Sequence, residues 1–172
     1  MTSVHPQPVE ARESLAQLAC RRCQPSEAIA QKLWIADQHY LQSAPPGFVH
    51  VYEYTLRGQL VGGCILGRTA ARQYNADRVL EVTRFFFVDG TPPNVESRGL
   101  ALMRKHVRTW LPAIRLLLAY SDPEQGHEGT IYAADGWCDL GLTDGPRGYG
   151  WQSRQGRRDR KASRKLRWVR TP

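Results

Sequence analysis

The chain has 172 residues, of which 41% are hydrophobic and 23% charged, so its composition is that of one globular domain and not of a fibrous or disordered protein. Its apolar runs fall short of the roughly 20 residues of a membrane-spanning helix, and its first residues lack the apolar core of a secretion signal, so we expect a cytoplasmic protein. The formal net charge of +8 is unevenly distributed, because residues 147–170 hold ten Lys or Arg and one acidic residue, Asp159.

The predicted elements begin with two helices, Pro8 to Arg22 and Pro25 to Leu41, in which the apolar residues of each helix share one face. A Pro-Pro-Gly break at residues 45–47 closes this helical part. A hairpin follows, with strands over Phe48 to Leu56 and Leu60 to Leu66 and a glycine in the turn between them.

After the hairpin, strands and helices alternate along the chain. The pattern predicts strands over Val79 to Val88, Ile114 to Tyr120 and Trp137 to Leu142, and helices over Val95 to Leu111 and His127 to Ala134. Such alternation requires at least one crossover connection. The predicted fold class is therefore α/β (α+β), a single domain with a mixed central sheet, flanking helices and a basic C-terminal extension.

The basic extension is residues 147–172, which leaves residues 1–146 as the globular domain. Clustered Lys and Arg bind a polyanion by releasing its counterions, and nucleic acid is the natural partner. The interspersed aromatic residues Tyr149, Trp151 and Trp168 add the ability to stack on bases. A solvated tail that only aids solubility is the alternative. The candidate DNA contacts are Arg147, Arg154, Arg157, Arg158, Arg160, Lys161, Arg164 and Lys165.

Polar residues follow two of the predicted strands, where ligands bind in α/β sheets. Asn94 can cap the helix after the first strand, with Glu96 and Ser97 in its first turn, and Asp122 and Tyr132 follow the second strand. If the two strands are neighbours, Ser97, Asp122 and Tyr132 face a shared cleft. The ordinary structural interpretation of these residues is a helix cap, a turn former and a packed tyrosine.

Four stretches carry a resemblance to a known family: HYL at residues 39–41, LVGGCILG at 60–67, VTRFFFVDGTPPNVES at 82–97 and AYSDPEQGHEGTIYAADGW at 119–137. In these stretches the chain resembles the Mom family of phage DNA-modification proteins, which belongs to the GNAT fold of N-acyltransferases. The last two stretches are long and unusual in composition. All four are in the family's order, and they span most of residues 33–142.

The resemblance implies a specific activity. Mom-like proteins place a carbamoylmethyl group on the exocyclic amine of adenine in phage DNA, which shields the DNA from host restriction enzymes. The implied partner is double-stranded DNA, from which the base is flipped or in which the duplex is opened locally. The catalytic residues carried over by the resemblance are His39, Tyr40, Ser97, Asp122 and Tyr132.

In the implied mechanism Asp122 accepts a proton from the amine, while Ser97 and Tyr132 orient the donor or stabilise charge that develops on it. The resemblance also points to an acyl-CoA-like donor and to bound iron, with His39, Tyr40 and either Asp122 or His127 as the iron ligands considered. Further residues within the matched region are candidates for binding the substrate or donor, namely Asn94, Glu96, Arg98, His127 and Thr130.

One part of the chain departs from the GNAT pattern. GNAT enzymes hold the diphosphate of coenzyme A on a glycine-rich loop that starts the helix after the fourth strand. Here that place holds TPPNVESRG, in which Pro92 and Pro93 remove two amide donors.

Two other functions stay open, an acetyl-CoA-dependent N-acetyltransferase acting on a small amine or protein, and a non-catalytic DNA-binding protein. The sequence leaves open the oligomeric state and the DNA context.

Overall fold

The computed structural model describes residues 15–69, 71, 73–144 and 163–172. Within these residues, seven strands form one sheet with helices on both faces. The strands are β1 (Leu18–Arg22), β2 (His50–Leu56), β3 (Gln59–Arg68), β4 (Val79–Phe87), β5 (Leu116–Ser121), β6 (Cys138–Leu142) and β7 (Leu166–Arg170), and the helices are α1 (Pro25–Gln38), α2 (Val95–Trp110) and α3 (Thr130–Ala134).

The sheet is mixed, with the spatial order β1-β2-β3-β4-β5-β7-β6. All neighbouring strands are antiparallel except β4 and β5, which are parallel and are joined by the crossover helix α2. A parallel pair needs such a crossover, because the chain must return to the same end of the sheet. The predicted fold class, a mixed sheet with flanking helices, is confirmed. Among the described helices, none combines the length and the apolar character needed to span a bilayer.

The two faces of the sheet are covered by different helices. On one face α1 places Ile35 against Val51 and Ile65. On the other face α2 buries Leu100, Met103 and Val107 in the main core. The spacing of three and four residues in α2 puts these side chains on one stripe of the helix, which is why this element was predictable.

Helix α2 lies unusually close to the sheet at its first turn. A methyl group on Gly99 would lie 2.8 Å from the ring of Phe87, so glycine permits the contact. The Tyr54 hydroxyl donates a hydrogen bond to the Gly99 carbonyl across 3.2 Å. Together these contacts fix the start of α2 against β4.

Strands β4 and β5 separate before they end. Their pairing runs from Val79 with Leu116 to Val82 with Ala119, and beyond this point β4 continues to Phe87 without β5 as its neighbour. The strands are therefore splayed at their carboxyl ends, and a cleft opens between them.

Two expectations about the ends of the sheet were wrong. Residues Leu18–Arg22 were predicted as helix, but they form β1, and each pairs with a residue of β2. Residues Leu166–Arg170 were expected within the basic extension, but they form β7, which lies between β5 and β6. In both cases backbone pairing with an available strand outweighs the local pattern of the sequence.

Other boundaries differ only slightly from the prediction. The helix expected from His127 begins at Thr130, because Gly129 has the left-handed conformation with φ of 82° and cannot continue a helix backwards. Helix α1 ends at Gln38 instead of Leu41. This earlier end leaves His39 and Tyr40 just beyond the helix, at the mouth of the cleft.

Candidate active site between the splayed strands

The cleft between β4 and β5 has a volume of about 700 Å³, within the usual range for a small-molecule site. Its walls come from the end of α1, the second half of β4, the first turn of α2 and the loop that joins β5 to α3. The predicted site residues that line it are His39, Tyr40, Glu96, His127, Thr130, Tyr132 and Lys165.

Three aromatic rings form a stack on one wall of the cleft. The ring centroids of His39 and Tyr40 are 4.4 Å apart, and those of Tyr40 and His127 are 4.5 Å apart. His127 and Tyr40 are both exposed, Tyr40 at 48%, whereas His39 is only 8% exposed. The sequence placed the first two rings together but gave no sign of the contact with His127.

The inner ring of the stack is a neutral histidine. Burial lowers the pKa of His39 to about 4, and repulsion by Arg84 and by His127 acts in the same direction. Its Nδ1 accepts a hydrogen bond from the Leu41 N–H across 3.2 Å. Because Nδ1 is the acceptor, neutral His39 carries its proton on Nε2.

The first turn of α2 contributes Glu96 to the cleft. Glu96 is exposed, yet desolvation at the cleft raises its pKa, and attraction to His127 opposes this shift. Ser97 turns away, since its hydroxyl donates to the Asn94 carbonyl across 3.1 Å. Asn94, Ser97 and the exposed Arg98 are not among the residues that line the cleft.

Asp122 is buried beside the cleft and does not line it. Its carboxylate accepts hydrogen bonds from the Glu124 N–H, across 3.1 Å, and from the Ser163 hydroxyl. The expected shared cleft of Ser97, Asp122 and Tyr132 is therefore not formed, because Ser97 and Asp122 each bond within or beside their own turn. Of these three side chains, the cleft contains Tyr132.

Tyr132 is buried in a cluster of indole rings. Its ring stacks on Trp168 with centroids 5.9 Å apart and meets the edge of Trp137 at 5.2 Å. Burial raises the pKa of Tyr132 well above its usual value, so the phenol stays protonated. Trp168 was expected to stack on bases, but it is buried, and its indole N–H donates to the Ser121 hydroxyl across 2.9 Å.

The residues on either side of positions 145–162, which hold most of the basic extension, meet at the rim of the cleft. The Thr143 N–H donates to the Lys165 carbonyl across 2.8 Å, and the Lys165 N–H donates to the Thr143 hydroxyl across 3.0 Å. Arg164 and Lys165 are the predicted DNA contacts within the described residues. The other predicted DNA contacts lie outside the described residues, and they are Arg147, Arg154, Arg157, Arg158, Arg160 and Lys161.

The charge of the cleft is opposite to that of the basic segment. Among the described residues that line the cleft, two carry cations, Arg84 and Lys165. Four carry carboxylates, namely Glu81, Asp89, Glu96 and Glu128. The cleft is therefore acidic, whereas its rim joins the most basic part of the chain.

A family model described as the Mom protein family matches residues 18–165, which is most of the chain. The chain belongs to the Mom protein family. The resemblance inferred from the four sequence stretches is thereby confirmed. No curated protein matches the chain closely enough to count as a relative.

Solved structures similar to this Mom family protein are GNAT acetyltransferases. A GNAT family acetyltransferase from Elizabethkingia anophelis with acetyl-CoA bound is 7% identical, has a TM-score of 0.58, and the match covers 91% of this chain and 99% of that chain. A ribosomal-protein-alanine N-acetyltransferase from Brucella melitensis is 13% identical with a TM-score of 0.58 and coverage of 90% and 99%. At such identity these structures establish the fold alone.

The described residues of this Mom family protein do not form a site that fits a resident iron ion. Among the described residues, no group of three or more His, Cys, Asp or Glu has the arrangement of a metal site. The Nδ1 atom of His39 is already an acceptor for Leu41, and the ring of Tyr40 is packed against both imidazoles. We therefore derive no step of the reaction through iron.

Proposed function

We propose that this Mom family protein is a DNA-modifying transferase that adds a carbamoylmethyl group to the exocyclic amine of adenine and so protects phage DNA from restriction. The observation that carries this proposal is the separation of charge, an acidic cleft large enough to hold a nucleobase, at whose rim a basic segment is anchored. The acidic cleft can accept an uncharged base, whereas the positively charged segment attracts the phosphates of the DNA backbone.

Access to the amine requires the base to leave the duplex. Extrusion of a base costs a few kcal/mol, and contacts of Lys and Arg with the flanking phosphates offset this cost. Lys165 lines the cleft and ends the basic segment, so it belongs to both surfaces. We propose that Lys165 and Arg164 hold the backbone beside the extruded nucleotide.

Within the cleft the ring stack provides an aromatic wall, and the exposed imidazole of His127 is its outer end. Flipped bases are recognised by stacking and by hydrogen bonds to their pairing edge. We propose that His39 and Tyr40 support this wall and that Tyr132 and Thr130 line the opposite side. Transfer forms a bond between the amine nitrogen and the methylene carbon of the group, and it breaks the bond from that carbon to the donor, whose leaving group departs with the electron pair. The amine also loses a proton, so the cleft must contain a proton acceptor.

The geometry gives Asp122 a positioning role in this proposal. Its carboxylate holds the Ser163 hydroxyl, and Ser163 is the first residue described after positions 145–162, which hold most of the basic extension. Asp122 therefore fixes the returning end of the segment next to the carboxyl end of β5. Asp122→Asn should weaken DNA binding as well as modification, whereas loss of a purely chemical group would leave binding intact.

Mass spectrometry of nucleosides from a plasmid co-expressed with this protein tests the proposed function. We expect a deoxyadenosine species heavier by one carbamoylmethyl group and DNA that resists cleavage by adenine-sensitive restriction enzymes. Unmodified DNA from cells that contain the folded protein would refute the proposal.

A salt titration tests the DNA contacts separately. The double variant Arg164→Gln/Lys165→Gln should reduce the slope of log K against log salt by about two, since each phosphate contact contributes about 0.9. The matched control is Arg57→Gln/Arg68→Gln, which removes the same charge from β3 and the turn before it. An equal change of slope in both double variants would contradict the assignment.

A further inference from the structure

The fold implies coenzyme A as cofactor, so the place of its diphosphate can be tested against the residues present. In GNAT enzymes several backbone amides at the start of the helix after the fourth strand bind the diphosphate. In this chain Pro92 and Pro93 have no amide hydrogen, and the Val95 N–H donates to the Pro92 carbonyl across 3.2 Å. Backbone N–H groups that could bind a diphosphate are therefore missing or already used in the middle of this turn.

Side chains at this turn do not replace the missing donors. The Ser97 hydroxyl donates to the Asn94 carbonyl, and Arg98 is exposed and does not line the cleft. The side chain that the turn does place in the cleft is the carboxylate of Glu96. A bound diphosphate would therefore meet a negative charge where GNAT enzymes offer N–H groups.

The position of Glu96 is not explained by helix stabilisation alone. A carboxylate in the first turn interacts favourably with the helix dipole, and this effect lowers its pKa. Glu96 is exposed, yet desolvation at the wall of the cleft raises its pKa. The carboxylate is thus partly desolvated, and no hydrogen bond within the described residues contributes to its pKa. It is placed as an acceptor for a ligand N–H group.

We propose that Glu96 determines the ligand specificity of the cleft, because its carboxylate excludes coenzyme A from the α2 end and accepts a hydrogen bond from a ligand amino group. If the proposed function is right, this amino group is the exocyclic amine of adenine. The second half of the inference rests on the proposed function, and the exclusion of coenzyme A does not. The group donor is then a molecule that lacks a diphosphate handle.

Calorimetry with coenzyme A and acetyl-CoA tests the exclusion on the full-length protein. We expect no binding by the wild-type protein at ligand concentrations up to about 1 mM, which corresponds to a binding free energy weaker than about −4 kcal/mol. Binding of either ligand with a dissociation constant below about 100 μM would overturn the inference and would favour an acetyl-CoA-dependent N-acetyltransferase.

The variant Glu96→Gln tests the acceptor role, since it keeps the shape of the side chain and removes its charge. In the co-expression assay we expect roughly ten- to hundredfold less modified adenine, the effect of losing a charge-assisted hydrogen bond to the amine. Glu124→Gln is the matched control, because Glu124 is exposed on the same side of the molecule and does not line the cleft. It should modify DNA as the wild-type protein does.

The outcomes separate this inference from the proposed function. If the wild-type protein and Glu96→Gln modify DNA equally, the role of Glu96 is refuted and the function stands. If the wild-type protein modifies no DNA, the function is refuted, and the binding experiment alone decides the exclusion of coenzyme A. Glu96→Asp and the melting temperature of each variant distinguish a lost carboxylate from a lost fold, because partial rescue by Asp without a change in melting temperature requires the charge.

Discussion

Gly129 should be far less tolerant of a methyl group than Gly126, although both glycines lie in the loop between β5 and α3 and both have positive φ. The φ angles are 82° at Gly129 and 76° at Gly126. An added methyl at Gly129 would lie 2.5 Å from the Trp168 Nε1 and closer still to two carbons of that ring, whereas at Gly126 it would meet no atom within 4 Å. The pair therefore separates the cost of backbone conformation from the cost of crowding.

The magnitudes follow from these two terms. Each Gly→Ala change lowers the free energy of unfolding by about 1–2 kcal/mol, because alanine is disfavoured in the left-handed backbone conformation. Gly129→Ala adds about 1–3 kcal/mol of overpacking, because Trp168 is buried between Tyr132 and Ser121 and has no space to withdraw. For a protein of this size the added term corresponds to a melting temperature lower by roughly 2–12 °C than that of Gly126→Ala.

Thermal and urea unfolding of the two variants measure this difference. In a Trp168→Phe background, which removes the indole atoms that the methyl group would meet, the extra cost of Gly129→Ala should shrink, and a double-mutant cycle reports this coupling. Equal free energies of unfolding for Gly126→Ala and Gly129→Ala would refute the packing described for Trp168. The DNA modification assay should follow stability, since displacement of Trp168 also moves Tyr132 in the cleft.

Three further predictions concern other parts of the molecule. Asp135→Ala should lower the free energy of unfolding by about 3–5 kcal/mol, because it leaves the largely buried Arg104 without the carboxylate that it contacts at 2.7 Å and 2.8 Å; an effect below about 1 kcal/mol in urea unfolding would contradict this. His39 has a lower pKa in the folded protein than in the unfolded chain, so stability should fall as the pH drops from 6.5 towards 4, by up to about 3 kcal/mol, and His39→Gln should flatten this part of the curve. Iodoacetamide should label the exposed Cys138 in the native protein and spare Cys64, since Cys64 is fully buried and burial raises the pKa of its thiol; mass mapping that finds Cys64 labelled first would contradict the described core.

The sequence predicted the centre of the fold well, because there the local pattern and the tertiary contacts agree. In α2 the apolar residues recur at helical spacing and are buried as expected. The β2–β3 hairpin was predicted from two apolar runs and a turn that contains Gly58. The expected crossover is the one from β4 through α2 to β5, and these two strands, whose adjacency the sequence left open, are neighbours.

Strands β1 and β7 were harder to predict, because partners far along the chain decide them. Leu18 and its neighbours have apolar spacing that fits one helical turn, and only pairing with β2 makes them a strand. Three of the five residues of β7 are apolar, but they are interleaved with Arg167 and Arg170. The positive charge of this stretch therefore placed it in the predicted basic extension instead of in a strand. Tertiary pairing routinely overrides such weak local preferences.

In the site, the sequence located the correct loops but not the directions of their side chains. Ser97 and Asp122 were expected in the cleft, and each instead forms hydrogen bonds to a nearby turn or to Ser163. Glu96 and His127 were ranked below them and line the cleft. A spacing of one residue in a helix turn changes the direction of a side chain by about 100°, which motif matching alone does not resolve.

The position of β7 has a consequence for how the protein folds during synthesis. Strand β5 is paired on one side with β4 and on the other with β7, whose residues leave the ribosome only after the basic segment has been made. Until then β5 has an open edge, and β6 lacks the strand that joins it to the sheet. Removal of residues 163–172 would leave the protein with the edge of β5 unpaired, where it can promote aggregation, and with the wall of the cleft incomplete.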